Sequence, residues 1–173
     1  MRTLLSILLY FGLSQCITAQ KLFPLQSTHS STKEVVDIMV TDKNGDLFPL
    51  SSILTNDKNY VISIMASWCS PCRIELDVFQ MVTDRWKKEL NTEIIALSVD
   101  KPNDSAKLFD LVEKQKWTMQ VLHEKMAYTS RELEVYGIPQ TFLVNKKGEI
   151  TYQTKGYKSN LVSKYEKEIK KLD

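Results

Sequence analysis

The stretch that most constrains the fold is residues 60–72, YVISIMASWCSPC, in which a nearly continuous apolar run leads into a Cys-x-x-Cys pair. Such a run predicts a strand buried on both faces, as in a parallel or mixed sheet covered by helices. A helical pattern begins directly after the pair. Cys69 is therefore expected at the mouth of a helix that follows a buried strand.

The segment after the pair repeats apolar side chains at helical spacing. These side chains are Ile74, Val78, Met81, Val82, Trp86 and Leu90. They predict one amphipathic helix that buries this stripe. We expect Ser70 to be its N-cap, with Pro71 in the first turn, where the missing N–H of proline costs nothing.

The rest of the chain alternates between strand and helix patterns. Strand patterns cover residues 34–42, 92–100, 118–124, 141–145 and 148–154, and residues 47–53 read as a short extended stretch. Helix patterns cover residues 103–117, 128–137 and 160–172; the second ends at Gly137, and the third has Leu161, Tyr165 and Ile169 on one face. This order predicts an α/β protein with a central sheet flanked by helices.

The N-terminus has the pattern of a secretory signal peptide. Arg2 precedes an apolar run at residues 4–13 and a mixed, small-residue segment that ends at Ala19. The run is shorter than the roughly 18 apolar residues that a membrane span needs. We expect an exported protein with a signal peptide at 1–19, a flexible polar leader at 20–33 and one domain at 34–173. As an alternative, residues 13–16 resemble a lipoprotein signal that would make Cys16 a lipid anchor, although Gln15 departs from that pattern.

The overall charge gives no sign of a polyanionic partner. The 23 Lys and Arg residues nearly balance 21 Asp and Glu, for a formal net charge of +2. Binding to nucleic acid is therefore not expected. Once the signal peptide is removed, Cys69 and Cys72 are the only cysteines left. An exported chain with only this pair favours a redox role.

Three kinds of chemistry compete for the pair. A structural zinc site needs four ligands, and the chain offers no second pair and only two histidines, His29 and His123, so no metal is expected. Copper binding that involves His123 stays open as an alternative. A disulfide staple that closes a loop of about four residues stabilises by only about 2 kcal/mol, against about 5 kcal/mol for a hundred-residue loop.

Redox exchange fits the context best. The free N–H groups and the positive end of a helix stabilise a thiolate on Cys69. Cys72 comes one turn later, within reach to attack a mixed disulfide formed on Cys69.

The pair and a second motif, GIPQTFLV, some seventy residues later together resemble the thioredoxin superfamily. The similarity is to its exported TlpA/ResA-like redoxins and covers residues 34–172, including a β-α insertion at 118–136. Trp68, Cys69, Cys72 and Pro139 match the family motif. The resemblance implies a thioredoxin fold: a central mixed β-sheet flanked by helices, with N-terminal extra strands and the β-α insertion.

The resemblance also implies where substrate binds. In this family a cis-proline packs beside the cysteines, and the residue before it offers backbone hydrogen bonds to an extended substrate peptide. These residues are Pro139 and Ile138 here, with Trp68 next to the nucleophile. Binding of this kind is strand addition.

Glu75 follows Cys72 by three residues. In the ResA-like branch a glutamate at this position lies near the active site, which implies a carboxylate that tunes the thiols and relays a proton. The alternative is a first-turn glutamate favoured by the helix dipole. The chain departs from the pattern at Gln140, where threonine is common, and it lacks thioredoxin's buried aspartate within residues 60–67.

The function implied is that of a thiol-disulfide oxidoreductase. We expect a monomer without a cofactor that reduces protein disulfides, is re-reduced by a membrane thiol donor, and has a family role in cytochrome c maturation. Two alternatives remain: a disulfide oxidase or isomerase that uses the same site, and a non-catalytic redoxin-like module that binds copper or a partner. A peroxidase is disfavoured, because neither Cys69 nor Cys72 lies in a P-x-x-x-[TS]-x-x-C pattern.

Overall fold

The computed structural model describes residues 38–125 and 128–172. The expected signal peptide, the leader, the Cys16 anchor and His29 lie outside these residues, as do the first residues of the strand predicted at 34–42. Within the described part of the chain, no helix combines the length and apolar character that crossing a membrane requires.

Seven strands form one mixed sheet in the described residues. They are β1 (Met39–Thr41), β2 (Leu47–Pro49), β3 (Asn59–Met65), β4 (Thr92–Ser98), β5 (Gln120–Glu124), β6 (Gln140–Val144) and β7 (Ile150–Lys155). Their order across the sheet is β2-β1-β5-β4-β3-β6-β7. The pairs β3–β4 and β4–β5 are parallel, and the pairs β1–β2, β1–β5, β3–β6 and β6–β7 are antiparallel.

Helices and 3-10 turns flank this sheet. They are α1 (Ser70–Gln80), α2 (Thr83–Glu89), α3 (Ser105–Gln115), α4 (Tyr128–Glu132) and α5 (Leu161–Ile169), with 3-10 turns at Leu50–Ile53 and Pro102–Asp104. One core forms where α1, α2, α3 and α5 pack on the sheet. The second core lies on the opposite face, under the first 3-10 turn and the segment after α4. The predicted α/β arrangement is confirmed.

The predicted buried strand is the centre of the sheet. All seven residues of β3 are buried, between β4 on one side and β6 on the other. Fully burying a side chain such as Ile62 or Ile64 contributes about 1.5–3 kcal/mol. Tyr60, Ile62 and Ile64 belong to one core, and Val61 and Met65 belong to the other, which explains why the run lacks the apolar–polar alternation of a half-exposed strand.

The single helix predicted after the cysteine pair is wrong in extent, and its predicted stripe is buried only in part: Val82 and Trp86 are buried as predicted. The chain forms two helices, α1 and α2, with Met81 and Val82 between them. Ile74 is 50% exposed and Met81 83% exposed, while α1 instead buries Cys72, Glu75, Leu76 and Phe79. An apolar stripe could not predict the buried face of α1, because that face includes Glu75. This carboxylic acid accepts hydrogen bonds from hydroxyl groups on the sheet.

Other boundaries also differ from the sequence-based prediction. Residues 47–53 are not one extended stretch, because a 3-10 turn follows β2 at Leu50–Ile53. The helix predicted at 128–137 ends at Glu132, so Gly137 lies in the loop that leads to β6. The final helix is confirmed, with Leu161, Tyr165 and Ile169 all buried.

Candidate active site

The two cysteines form a disulfide at the start of α1. Cys69, not Ser70, is the N-cap: its Sγ accepts a hydrogen bond from the Cys72 N–H at 3.3 Å. The Cys69 carbonyl accepts from the Arg73 N–H at 3.1 Å, which closes the first turn. Cys69 keeps 5% of its surface exposed, whereas Cys72 is fully buried. Of these two cysteines, only Cys69 is accessible to solvent.

A buried aspartate holds the loop between β3 and the pair. Asp100 lies just beyond β4, and its Oδ2 accepts from the Ser67 N–H at 2.7 Å and from the Ser98 Oγ at 2.7 Å. Its Oδ1 accepts from the Ser67 Oγ at 2.9 Å. The Cys69 N–H in turn donates to the Ala66 carbonyl at 3.0 Å. The backbone that leads into the disulfide is thus fixed on both sides of Trp68.

Glu75 is buried one turn beyond Cys72. Its side chain is 1% exposed, and its Oε1 accepts hydrogen bonds from the Ser63 Oγ of β3, at 2.9 Å, and from the Thr141 Oγ1 of β6. Burial raises the pKa of Glu75 above its ordinary value, and the two hydroxyl groups offset part of that rise. Residues three apart on a helix are neighbours on one face, so Glu75 and Cys72 share the buried side of α1.

Tyr165 secures the strand segment that carries Thr141. Its hydroxyl donates to the Thr141 carbonyl at 2.7 Å and lies 3.1 Å from the Thr154 Oγ1. Burial raises the pKa of Tyr165 far above its usual range, so the hydroxyl stays protonated and remains a donor. The ring also packs edge-on against Phe79 of α1.

The second motif approaches the disulfide from the neighbouring strand. The Ile138–Pro139 peptide bond is cis, as the resemblance implied. Gln140, the next residue, pairs with Ile64 at the carboxyl end of β3. Because β3 and β6 are antiparallel, the loop before β6 and the loop after β3 leave the sheet at the same edge. Trp68 and Ile138 differ in exposure: Trp68 is 70% exposed, and Ile138 is half-buried.

His123 does not belong to a metal-ligand cluster. It is fully buried, with its Nε2 at 2.9 Å from the Asp100 carbonyl oxygen. Across residues 38–125 and 128–172, no group of three or more His, Cys, Asp or Glu side chains is arranged to hold a metal ion. These residues therefore offer no set of metal ligands that would support the copper-binding alternative.

Sequence reasoning missed Asp100, Ser63 and Thr141. One signal for Asp100 was available, because it is the last residue of the strand predicted at 92–100. That strand is parallel to β3, and the carboxyl ends of adjacent parallel strands meet at the same edge. No comparable signal existed for the two hydroxyl groups, which reach Glu75 from positions 12 and 66 residues away.

The mixed sheet, the helix that begins at a Cys-x-x-Cys disulfide and the adjacent cis-proline together define a thioredoxin-fold thiol-disulfide oxidoreductase. Comparison with known families agrees with this class. The model of the AhpC/TSA family matches residues 32–153, and the chain belongs to that family.

Two relatives are named as thiol-disulfide oxidoreductases. "Thiol-disulfide oxidoreductase ResA" of Bacillus thuringiensis subsp. konkukian is 27% identical over 124 residues, which are 72% of this chain and 69% of the relative. "Sporulation thiol-disulfide oxidoreductase A" of Bacillus subtilis is 26% identical over 115 residues, or 66% of this chain and 67% of the relative.

Solved structures confirm the thioredoxin fold. An uncharacterized thioredoxin-like protein from Porphyromonas gingivalis superposes with a TM-score of 0.71 at 26% identity, over 80% of this chain and 90% of that one. A thiol:disulfide interchange protein DsbE from Chlorobium tepidum also gives 0.71, at 20% identity, over 82% and 96% of the two chains.

Proposed function

We propose that this chain reduces disulfide bonds in exported proteins through a dithiol–disulfide cycle of Cys69 and Cys72. The observation that carries the proposal is the asymmetry of the pair. The Cys69 Sγ caps the N-terminus of α1 and Cys69 keeps 5% of its surface exposed, whereas Cys72 is fully buried. A thiolate on Cys69 is stabilised by the helix N–H groups, and a partner can reach it.

The cycle moves two electrons from the protein to its substrate. The Cys69 thiolate attacks one sulfur of the substrate disulfide, forms a mixed disulfide and releases the other substrate sulfur as a thiolate. Cys72, once deprotonated, attacks the Cys69 sulfur, which releases the second substrate thiol and closes the Cys69–Cys72 disulfide. A thiol donor must then reduce that disulfide before the next turnover.

Glu75 is proposed as the group that receives the proton of Cys72. Its raised pKa and its place on the same buried side of α1 support this role. A carboxylic acid whose pKa is shifted upward by burial exchanges protons closer to neutral pH than an exposed one does. The hydroxyls of Ser63 and Thr141 fix the orientation of the carboxylate.

The substrate segment is proposed to lie against the cis-proline loop, with backbone hydrogen bonds to Ile138. Pro139 forms the buried floor of the site, and Trp68 offers an exposed aromatic face beside Cys69. Recognition mainly through the substrate backbone would suit an enzyme that meets many sequences.

The cellular setting is proposed from the sequence and from the resemblance to TlpA/ResA-like redoxins. Residues 1–19 act as a signal peptide or, with Cys16, as a lipid anchor, and the domain of residues 34–173 works in the periplasm or cell envelope as a monomer. A membrane protein with a free dithiol supplies the electrons. Cytochrome c maturation is the setting that the resemblance supports.

The decisive experiment is turnover of a model disulfide, insulin, with dithiothreitol as donor. The parent is expected to accelerate reduction, and Cys69→Ser is expected to lose that acceleration. A Cys69→Ser variant as active as the parent would refute the mechanism. Direction is tested separately by redox titration against glutathione: a potential near −120 mV, typical of strong oxidants, would favour the oxidase alternative, and one near −270 mV the reductase.

A further inference from the structure

A groove of about 450 Å³ lies between the β6–β7 hairpin and the segment that follows α4. Its floor includes Gln140, Gln153 and Lys155, and its wall includes Glu134 and Tyr136. It opens on the face of the sheet opposite α1, since Phe142 in its floor belongs to the core on that face. The mechanism proposed above does not use it.

The groove is continuous with the cis-proline loop. A second hollow of about 340 Å³ is lined by Ile138 and Pro139 and shares Tyr136, Gln140 and Lys155 with the groove. An extended chain advances about 3.3 Å per residue and turns alternate side chains to the same side. A substrate segment held at Ile138 therefore brings one of its nearby side chains to the groove.

Gln140 offers the groove a buried hydrogen-bond acceptor. Its side chain is 2% exposed, and its Nε2 donates to the Gln153 Oε1 at 3.2 Å. The Gln140 Oε1 is buried and has no hydrogen-bond partner among residues 38–125 and 128–172. Buried acceptors in native proteins are almost always paired, so this oxygen is suited to a donor that arrives with a ligand.

The charged groups that line the groove narrow the chemistry of that ligand. Lys155 lines it, so the charged head of a lysine or arginine side chain meets a like charge. A carboxylate also has no N–H or O–H for the Gln140 Oε1. A carboxamide has both an N–H donor for that oxygen and a carbonyl that accepts from the Lys155 Nζ.

We propose that this groove is a specificity subsite that binds an asparagine or glutamine side chain of the substrate segment. The proposal rests on the proposed function, because it assumes an extended substrate at the cis-proline loop. Gln140 is the discriminating residue, and Tyr136, with 86% of its surface exposed, supplies an aromatic wall for the side-chain methylenes.

The test compares the reduction of short peptides, each with one cysteine as a mixed disulfide with glutathione. A guest residue is placed in turn two, three or four positions on either side of the cysteine, as Gln, Ala, Glu or Lys. The reduced protein, kept reduced by dithiothreitol, is expected to act on the Gln peptide about threefold to tenfold faster than on the other three at one of these positions. This range corresponds to about one net hydrogen bond.

Variants connect that preference to the groove. Gln140→Leu, similar in size but without the amide, is expected to bring the Gln-to-Ala rate ratio close to one. Lys155→Met, at an exposed position where misfolding is not expected, should lower the same ratio. Gln120→Leu makes the matched change at an exposed position on β5 and should leave the ratio intact.

The outcomes separate this inference from the proposed function. Equal rates for all guests at all six positions would overturn the subsite and leave the reductase standing. A preference that survives both Gln140→Leu and Lys155→Met would also overturn it, because the groove would not be its source. Failure to reduce any peptide, together with no acceleration of insulin reduction, would overturn both proposals.

Discussion

Asp100→Ala is the perturbation whose effect the structure specifies most fully. The buried carboxylate accepts three hydrogen bonds, from the Ser67 N–H, the Ser67 Oγ and the Ser98 Oγ. Each hydrogen bond to a charged group contributes about 1.5–3 kcal/mol. The simple sum is an upper bound, because Ser67 is half-buried and water can replace part of what it loses. We expect a loss of about 3–5 kcal/mol in the free energy of unfolding.

The assay is urea unfolding of the oxidised protein, followed by tryptophan fluorescence, with the midpoint and the m-value fitted separately. Asp110→Ala is the matched control: the same substitution at an exposed position of α3. Because alanine favours a helix, the control should change stability by no more than about 0.7 kcal/mol. A loss below about 1 kcal/mol for Asp100→Ala, or an equal loss for the control, would refute the anchoring role of Asp100.

Two further predictions concern α1. Leu76→Ala, at a fully buried site, should cost about 2–5 kcal/mol, whereas Ile74→Ala, at a half-exposed one, should cost less than about 1 kcal/mol; urea unfolding of both measures the difference. Glu75→Gln should change how stability depends on pH. The folded protein raises the pKa of Glu75. The contribution of Glu75 to stability is therefore fully present below its unfolded-state pKa. This contribution is lost as pH rises through the folded-state pKa, by at most about 1.4 kcal/mol per pH unit. Unfolding at pH 4 and pH 8 should therefore show Glu75→Gln gaining stability relative to the parent as pH rises.

Each of these predictions has a contradicting result. Equal losses for the Leu76 and Ile74 variants would mean that α1 buries the apolar stripe read from the sequence. Parallel pH profiles for the parent and Glu75→Gln would mean that burial does not raise the pKa of Glu75.

The sequence predicted the sheet better than the surface of α1. Residues 60–67 identified the central strand, because a strand covered on both faces has a run of apolar residues without alternation. After the cysteine pair, the apolar pattern selected Ile74 of α1 and Met81 just beyond it, which are both exposed, and passed over Glu75, which is buried. Burial of a carboxylic acid depends on partners from β3 and β6, and helical periodicity contains no information about them.

The same limit applies to the candidate site. The Cys-x-x-Cys pair and the proline motif were readable because their spacing and context are local. The contacts of Asp100 with Ser67 span 33 residues and exist only after β3 and β4 pair in register. Gly137 predicts the end of a helix because glycine often ends one, yet α4 ends at Glu132, where no glycine or proline marks the boundary.

The central claim is that Cys69 attacks and Cys72 resolves. The direct measurement mixes reduced Cys72→Ser, and separately reduced Cys69→Ser, with an excess of a glutathione-capped peptide and locates the adduct by mass spectrometry. We expect Cys72→Ser to hold a stable mixed disulfide on Cys69, and Cys69→Ser to form an adduct on Cys72 far more slowly, because Cys72 is buried. Faster adduct formation on Cys72 in the Cys69→Ser variant would contradict the account.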